Sequence, residues 1–118
     1  MMTEARVISR LWRGVAQPSR AKAYEEHLRS HTFPVLKEMP GFLDASILWQ
    51  KVERGVEFLV VTRWASMEAI ERFAGPDVEA AVVPAEVEAM MVEFDRRVEH
   101  FEVVDVDGSP SVRQGKSL

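Results

Sequence analysis

The sequence predicts an α+β fold in which four strands form one antiparallel sheet and two helices cover one of its faces. Two runs rich in β-branched and aromatic residues, 42–52 and 56–64, are separated by a short Gly-containing turn at residues 53–55. This pattern is typical of a β-hairpin, and the glycine is available for a positive φ. The second run continues directly into a segment of helical periodicity that begins at Ser66 and ends before Gly75. A hairpin followed at once by a helix indicates a small mixed domain.

The N-terminal part is predicted to be a strand followed by a helix. Residues 6–12 have high β propensity, residues 14–17 form a loop, and a helix begins at Pro18 or Ser19, where proline is favoured. One apolar stripe of this helix contains Ala21, Tyr24, Leu28, His31 and Val35. Pro34 should kink or break the helix, because it lacks a backbone donor and clashes with the preceding turn.

The second half is predicted to contain another helix and a final strand. Ser66 is suited to cap the helix 66–74, Glu68 suits its positive end, and Gly75 suits its C-terminus. Residues 77–91 should form a broken helix that restarts at Pro84, and residues 93–104 a fourth strand. We expect residues 1–104 to be a single domain and residues 105–118, rich in Gly, Ser, Pro and charge, to be a flexible C-terminal tail.

This element order is β-α-β-β-α-β, the ferredoxin-like arrangement, in which the helices lie on one face of the sheet. Along the third strand Phe58, Val60 and Trp64 point to one face and Leu59 and Val61 to the other. Both faces are therefore apolar, which predicts that the uncovered face packs against a second subunit in a homodimer.

Composition excludes several classes of function. The 118 residues carry a net charge of −4 and no cysteine, which rules out disulfides, thiol catalysis and Cys-ligated metals and is compatible with the cytoplasm. Arg and Glu are interleaved rather than clustered, so no nucleic-acid partner is expected. No apolar run approaches the length of a membrane span, and no signal segment or phosphate-binding glycine loop is present, so neither a membrane partner nor a nucleotide is expected.

Several segments resemble the antibiotic biosynthesis monooxygenase-like family of dimeric α+β barrel proteins. They are Leu11-Trp12-Arg13-Gly14, Met39-Pro40-Gly41-Phe42, and residues 57–64, 66–70 and 98–103. The resemblance spans most of residues 7–104. It implies a homodimer with a pocket for a small hydrophobic or aromatic molecule. It also implies oxidation of that molecule without a metal or flavin cofactor. A non-catalytic ligand-binding dimer and a haem-degrading monooxygenase are the alternatives.

The resemblance also assigns individual positions. Trp64 matches the family's tryptophan at the end of the third strand, whereas Val60 stands where the polyketide-oxidising branch has an asparagine. Ser9 stands where the haem-degrading branch has its asparagine. Residues 71–91, where that branch places its histidine ligand, contain no histidine. We therefore expect the pocket to offer haem iron no imidazole.

His31 and Trp64 are the candidate catalytic residues. A half-buried His31 facing the sheet could act as a general base on a phenol or enol, or could be a histidine at the seam that bonds a carbonyl freed by Pro34. Trp64 could stack on a flat ligand or could be a core residue. His27 and His31 are four residues apart, a spacing that can hold a metal. No third ligand accompanies them, so no metal site is expected.

Tyr24, Arg63 and His100 are the candidate substrate-binding residues. Tyr24 is predicted to be a core residue with its hydroxyl at the rim, and His100 could hold an anion or pair across the dimer. Arg10, Arg13 and Arg63 alternate near strand ends. One of these arginines facing a cavity would suit a carboxylate or enolate, but all three could equally be solvated or paired with glutamates.

Overall fold

The computed structural model describes residues 6–106 and contains an antiparallel sheet with helices on one side. The strands are β1 (Ile8–Ala16), β2 (Phe42–Val52), β3 (Gly55–Trp64), β4 (Met91–Phe94) and β5 (Glu99–Glu102). The helices are α1 (Ala21–His27), α2 (Phe33–Lys37), α3 (Met67–Ala74) and α4 (Ala85–Glu88). The strand order is β2-β3-β1, and β4 and β5 both pair with the outer edge of β1. This confirms the ferredoxin-like prediction. Most of the predicted tail, residues 107–118, lies outside the described residues.

The hairpin of β2 and β3 forms at the predicted place, with a two-residue turn between Val52 and Gly55. Gly55 does not adopt a positive φ. A Cβ at Gly55 would instead overlap the carbonyl oxygen of Ala16 on the neighbouring strand. The glycine is therefore needed for the close approach of two backbones.

Strand β1 is longer than predicted, because residues 14–16 form strand and not loop. They pair with β3 on one side and β4 on the other, so tertiary pairing decides their conformation. Gly14 makes room for a neighbouring side chain: the indole of Trp12 lies where a Cβ of residue 14 would be. The Trp12 indole N–H donates to the carbonyl oxygen of Asp95 at 2.8 Å, which holds the ring in this position.

The first helical segment does not break at Pro34. A π turn, Leu28–Thr32, joins α1 to α2, and the Phe33 N–H donates to the carbonyl oxygen of Leu28. The wider turn accommodates a proline in the first turn of α2 without interrupting the helical path. It also shifts the buried stripe by one residue, so Leu36 is 3% exposed and Val35 is 63% exposed. The predicted burial of Val35 is wrong for this reason.

Helix α3 is capped as the sequence indicated. The Ser66 hydroxyl accepts the Ala69 N–H at 3.1 Å, and Gly75 has a φ of 91° at the C-terminus. Ala69 and Ile70 are buried against the sheet. Residues 77–83, in contrast, are not helical, and helix resumes only after Pro84.

The predicted continuous fourth strand is wrong, because β4 and β5 are separated by an outward loop. Residues 95–98 contain two more residues than the stretch of β1 that they face. The loop finds its partners in residues 79–81: the Val98 N–H donates to Glu79 and the Ala81 N–H to Arg96. This exchange satisfies backbone groups that a regular strand would have paired with β1.

Burial alternates strictly along β3 and defines the two faces of the sheet. Its covered face carries Val56, Phe58, Val60, Thr62 and Trp64, which are buried under the helices. The open face carries Glu57, Leu59, Val61 and Arg63, which are partly exposed. Among the described residues, no helix is long and apolar enough to cross a membrane.

Candidate functional site

A cavity of about 330 Å³ lies between the covered face of the sheet, the first helical segment and residues 82–87. Its volume is near the lower end of the range for small-molecule sites. The wall is mainly apolar and includes Trp12, Leu28, Val60, Phe73, Val83 and Val87. The polar side chains in the wall are Arg10, Tyr24, His27, His31, Thr32 and Thr62. A flat apolar ligand with few polar groups would fit such a lining.

Arg10 is a buried charged residue on the covered face. It lies on β1 opposite Thr62 of β3 and is only 5% exposed. Its Nη1 donates to the carbonyl oxygen of Val78 at 2.5 Å, and its Nη2 donates to that of Ala80 at 2.9 Å. Burial lowers the pKa of Arg10 to about 10, so the guanidinium is still charged at neutral pH.

His100 positions Arg10 from the neighbouring strand β5. Its Nε2 lies 3.0 Å from Nη1 of Arg10. Because a guanidinium can only donate, Nε2 must accept, and the ring is neutral with its proton on Nδ1. Burial first, and then the charge of Arg10, lower the pKa of His100, although Glu79 opposes the shift. His100 does not line the cavity; it contacts the residue that does.

Trp64 is fully buried behind the cavity wall and does not line it. Its ring stacks on Phe73 with centroids 5.5 Å apart, and its indole N–H donates to the Thr62 hydroxyl oxygen at 2.9 Å. Phe73 and Thr62 both face the cavity. In this structure Trp64 therefore contacts two residues of the wall.

Tyr24 lies in the wall and is packed between aromatic rings. Its ring meets Phe58 edge to face at 4.9 Å and Trp12 at 6.1 Å. Burial raises the pKa of Tyr24, so the hydroxyl keeps its proton at neutral pH. Within residues 6–106 the hydroxyl has no hydrogen-bond partner. Every side-chain oxygen in that range that is fully shielded from solvent has a partner, so the Tyr24 oxygen is not fully shielded. The hydroxyl oxygen therefore keeps some contact with solvent, although the residue as a whole is only 3% exposed.

His31 lies in the π turn and reaches the cavity although much of it is exposed. Its ring stacks on His27 with centroids 5.1 Å apart and planes 9° apart, and its Nδ1 lies 3.0 Å from the Ser30 hydroxyl. The expectation of a pocket without imidazole is wrong, because the first helical segment supplies both rings. Over the described residues, no group of three His, Cys, Asp or Glu side chains could hold a metal.

Arg63 lies on the open face of the sheet, away from the cavity. Its Nε donates to a carboxylate oxygen of Asp44 at 2.7 Å, and this bond raises the pKa of Arg63. Of the three arginines named from the sequence, only Arg10 shares a face with Trp12. The sequence shows that Arg10 and Trp12 lie on the same face of β1, because they are two residues apart. This indicates a cavity residue only when the face covered by the helices is known.

Comparison with known proteins identifies the family. The sequence model described as antibiotic biosynthesis monooxygenase matches residues 15–85, more than half of the chain. The chain belongs to this family. A search of curated proteins finds no match. Arg10 and His100 lie outside the residues that match the family model.

Solved structures of the family share the fold. A Caulobacter crescentus protein assigned to this family is 23% identical with a TM-score of 0.64, covering 86% of this chain and 92% of its own. SnoaB, a cofactor-independent oxygenase from Streptomyces nogalater, is 18% identical with a TM-score of 0.57, covering 91% and 100%. A heme-degrading protein from Mycobacterium tuberculosis is 24% identical with a TM-score of 0.56, covering 89% and 100%. At such identities the likeness establishes the fold alone.

Proposed function

We propose that this chain is a cofactor-independent monooxygenase that acts on a small aromatic or hydrophobic substrate. The observation that carries the proposal is the apolar cavity with a buried guanidinium in its wall and an imidazole at its exposed side. Membership of the antibiotic biosynthesis monooxygenase family and the fold shared with SnoaB support the same reaction class.

The reaction would oxidise an activated CH₂ group of the substrate to a carbonyl. His31 removes a proton, and the resulting carbanion, delocalised over the aromatic system, gives an electron to dioxygen. The two radicals recombine as a peroxide anion, which takes the proton back from His31 and becomes a hydroperoxide that loses water. One oxygen atom thereby enters the substrate, and the other leaves as water with the two hydrogens of the CH₂ group. The apolar wall keeps bulk water from the reactive intermediates.

His31 suits the role of base because imidazole is the side chain that most often acts as a general base. The Ser30 hydroxyl, which itself donates to the carbonyl oxygen of Glu26 at 2.7 Å, lies beside Nδ1 and fixes one edge of the ring. This leaves Nε2 for the substrate.

Replacing His31 with Gln tests the assignment. Oxygen consumption with an anthrone-type substrate should fall by about two to four orders of magnitude, since a general base contributes that much. The matched control is His27→Gln, which removes the neighbouring imidazole and should reduce the rate by less than about tenfold. An H31Q protein that consumes oxygen within a few-fold of the parent would contradict the role of His31 as base.

A non-catalytic ligand-binding protein is the second candidate. The observation favouring it is Val60, an apolar residue in the cavity wall at the position where the polyketide-oxidising branch has a polar one. Tight binding of a quinol or anthrone with no oxygen consumption by the wild-type protein would favour this function over oxidation.

The open face supports a homodimer as part of the proposal. Its apolar residues include Leu11, Leu48, Leu59, Val61 and Phe101; the paired strands place Leu11 opposite Val61 and Leu48 opposite Leu59. Leu48 is 48% and Phe101 52% exposed in the single chain. Covering these side chains with the same face of a second copy would remove a contiguous apolar patch from water.

A further inference from the structure

We propose that the cavity selects ligands carrying an ionised oxygen, which is held by Arg10 together with the Thr62 hydroxyl. The ligand class is a flat apolar molecule with a carboxylate, phenolate or enolate at one edge. This inference rests on the proposed function in one respect, namely that the cavity is the ligand site. It concerns binding and does not require turnover.

The hydrogen bonds of Arg10 leave two donors for a ligand. A guanidinium has five N–H groups, and three of them meet Val78, Ala80 and His100. One on Nε and one on Nη2 have no acceptor within residues 6–106. In that range every side-chain nitrogen that is fully shielded from solvent has a partner, so Nε must be at least partly exposed. Nε–H and Nη2–H form the side of the guanidinium that binds a carboxylate through two parallel bonds.

The charge of Arg10 is also uncompensated by protein carboxylates. Arg13, Arg63 and Arg97 each have a carboxylate oxygen at ion-pair distance. In the part of the chain that the structure describes, Arg10 has none; its neighbours are carbonyls, neutral His100 and the ring of Phe73 at 5.5 Å. Burying an unpaired cation is costly. An anionic ligand would offset that cost.

Thr62 adds a third potential donor next to Arg10. It lies directly opposite Arg10 on the adjacent strand, and both line the cavity. The Thr62 oxygen already accepts the indole N–H of Trp64. Its hydroxyl hydrogen is therefore free to donate to a ligand oxygen, and Trp64 acts as a positioning residue for Thr62.

The binding test compares 2-naphthoate with 2-naphthalenemethanol, which share the ring system and differ in charge. Affinities are measured by fluorescence titration under nitrogen, so that oxidation does not contribute. Wild-type protein should bind the carboxylate at least tenfold more tightly than the alcohol. Arg10→Gln should weaken carboxylate binding roughly ten- to hundredfold and leave alcohol binding nearly unchanged, because charge-assisted hydrogen bonds are lost. Arg10→Lys, which keeps the charge but not the planar fork, should restore part of the preference.

Arg63→Gln, on the opposite face, is the matched control and should keep the full preference. Thr62→Val removes one donor without touching the charge and should lower the preference several-fold, which keeps the test decisive if Arg10→Gln fails to fold. Equal affinity for the two probes, no binding of either at millimolar concentration, or an unchanged preference in a folded R10Q protein would overturn the anion site. Failure of catalysis alone would leave these affinities intact.

Discussion

Arginine side chains have opposite environments on the two faces of the sheet. On the open face, Arg13 and Arg63 are bonded to Glu57 and Asp44 in ion pairs that are partly exposed to solvent. On the covered face Arg10 is 5% exposed, and its partners among residues 6–106 are two carbonyls and a neutral imidazole. The sequence alone does not distinguish the three arginines, because it does not show which face of the sheet the helices cover. What separates them is the missing carboxylate, and an uncompensated buried charge is a better indicator of a ligand site than charge itself.

The largest expected effect comes from the packed part of the covered face. Phe58→Ala should lower the free energy of unfolding by about 3–5 kcal/mol, because the ring is fully buried and its loss leaves a void. Leu48→Ala on the open face should cost under about 1 kcal/mol in the monomer, since the side chain is already half exposed. Urea unfolding of both variants measures the difference. Equal losses would mean that Leu48 is buried by a second copy, and a loss under about 1 kcal/mol for Phe58→Ala would contradict the burial of its ring.

The next effect concerns association through the open face. Leu59→Glu places a charge within the apolar patch and should shift a dimer toward monomer, with a loss of affinity of about 2 kcal/mol or more. Met67→Glu, at an exposed position of α3, is the control and should leave association unchanged. Sedimentation at micromolar concentration distinguishes the outcomes. A wild-type protein that sediments as a monomer would refute the dimer.

A smaller effect is a pH dependence that arises from His100. Its pKa is lowered in the folded state, chiefly by burial, so the unfolded chain binds a proton first as the pH falls. Stability due to the neutral ring is therefore complete above a pH of about 6.5, the ordinary value for histidine, and is lost as the pH falls toward the lower folded value. Melting temperatures of wild type and His100→Gln between pH 7.5 and 5 should diverge in slope. Parallel curves would argue against a neutral, bonded His100.

The smallest effect is expected for the ion pair of Arg63 with Asp44. Both side chains are about half exposed, so Arg63→Gln should change the free energy of unfolding by at most about 1 kcal/mol. The loss should shrink further at 1 M salt, which thermal melts can measure. A large, salt-insensitive loss would mean that the open face is more buried in solution than in the single chain.

Regular local signals made much of the fold predictable from sequence. High β propensity on both sides of a short turn predicts the β2–β3 hairpin. The Ser66 hydroxyl and Gly75 predict the two ends of α3, and each of these signals lies within a few residues. The errors lie where distant contacts decide. The end of β1 is fixed by two neighbouring strands, and the gap between β4 and β5 by the bonds of Val98 and Ala81 to distant residues.

The candidate site was predictable only in part for a related reason. Tyr24 and His31 follow from the stripe of the first helical segment and do line the cavity. The π turn buries Leu36 in place of Val35, and apart from Pro34 no residue of this segment predicts such a turn. Arg10 could not be chosen over Arg63, because both faces of the sheet carry apolar residues and parity alone does not say which one the helices cover.

The absence of a side chain at Gly14 determines how much room a ligand has in the cavity. Because the Trp12 indole rests where a side chain of residue 14 would be, even a methyl group there must displace the ring, and that ring is part of the cavity wall. The indole bond to Asp95 limits how it can move. A substitution at this one position of β1 would therefore change the size of the ligands that fit the cavity. Variants of this chain could in this way acquire a different substrate range without a change in any residue that contacts the polar group of the ligand.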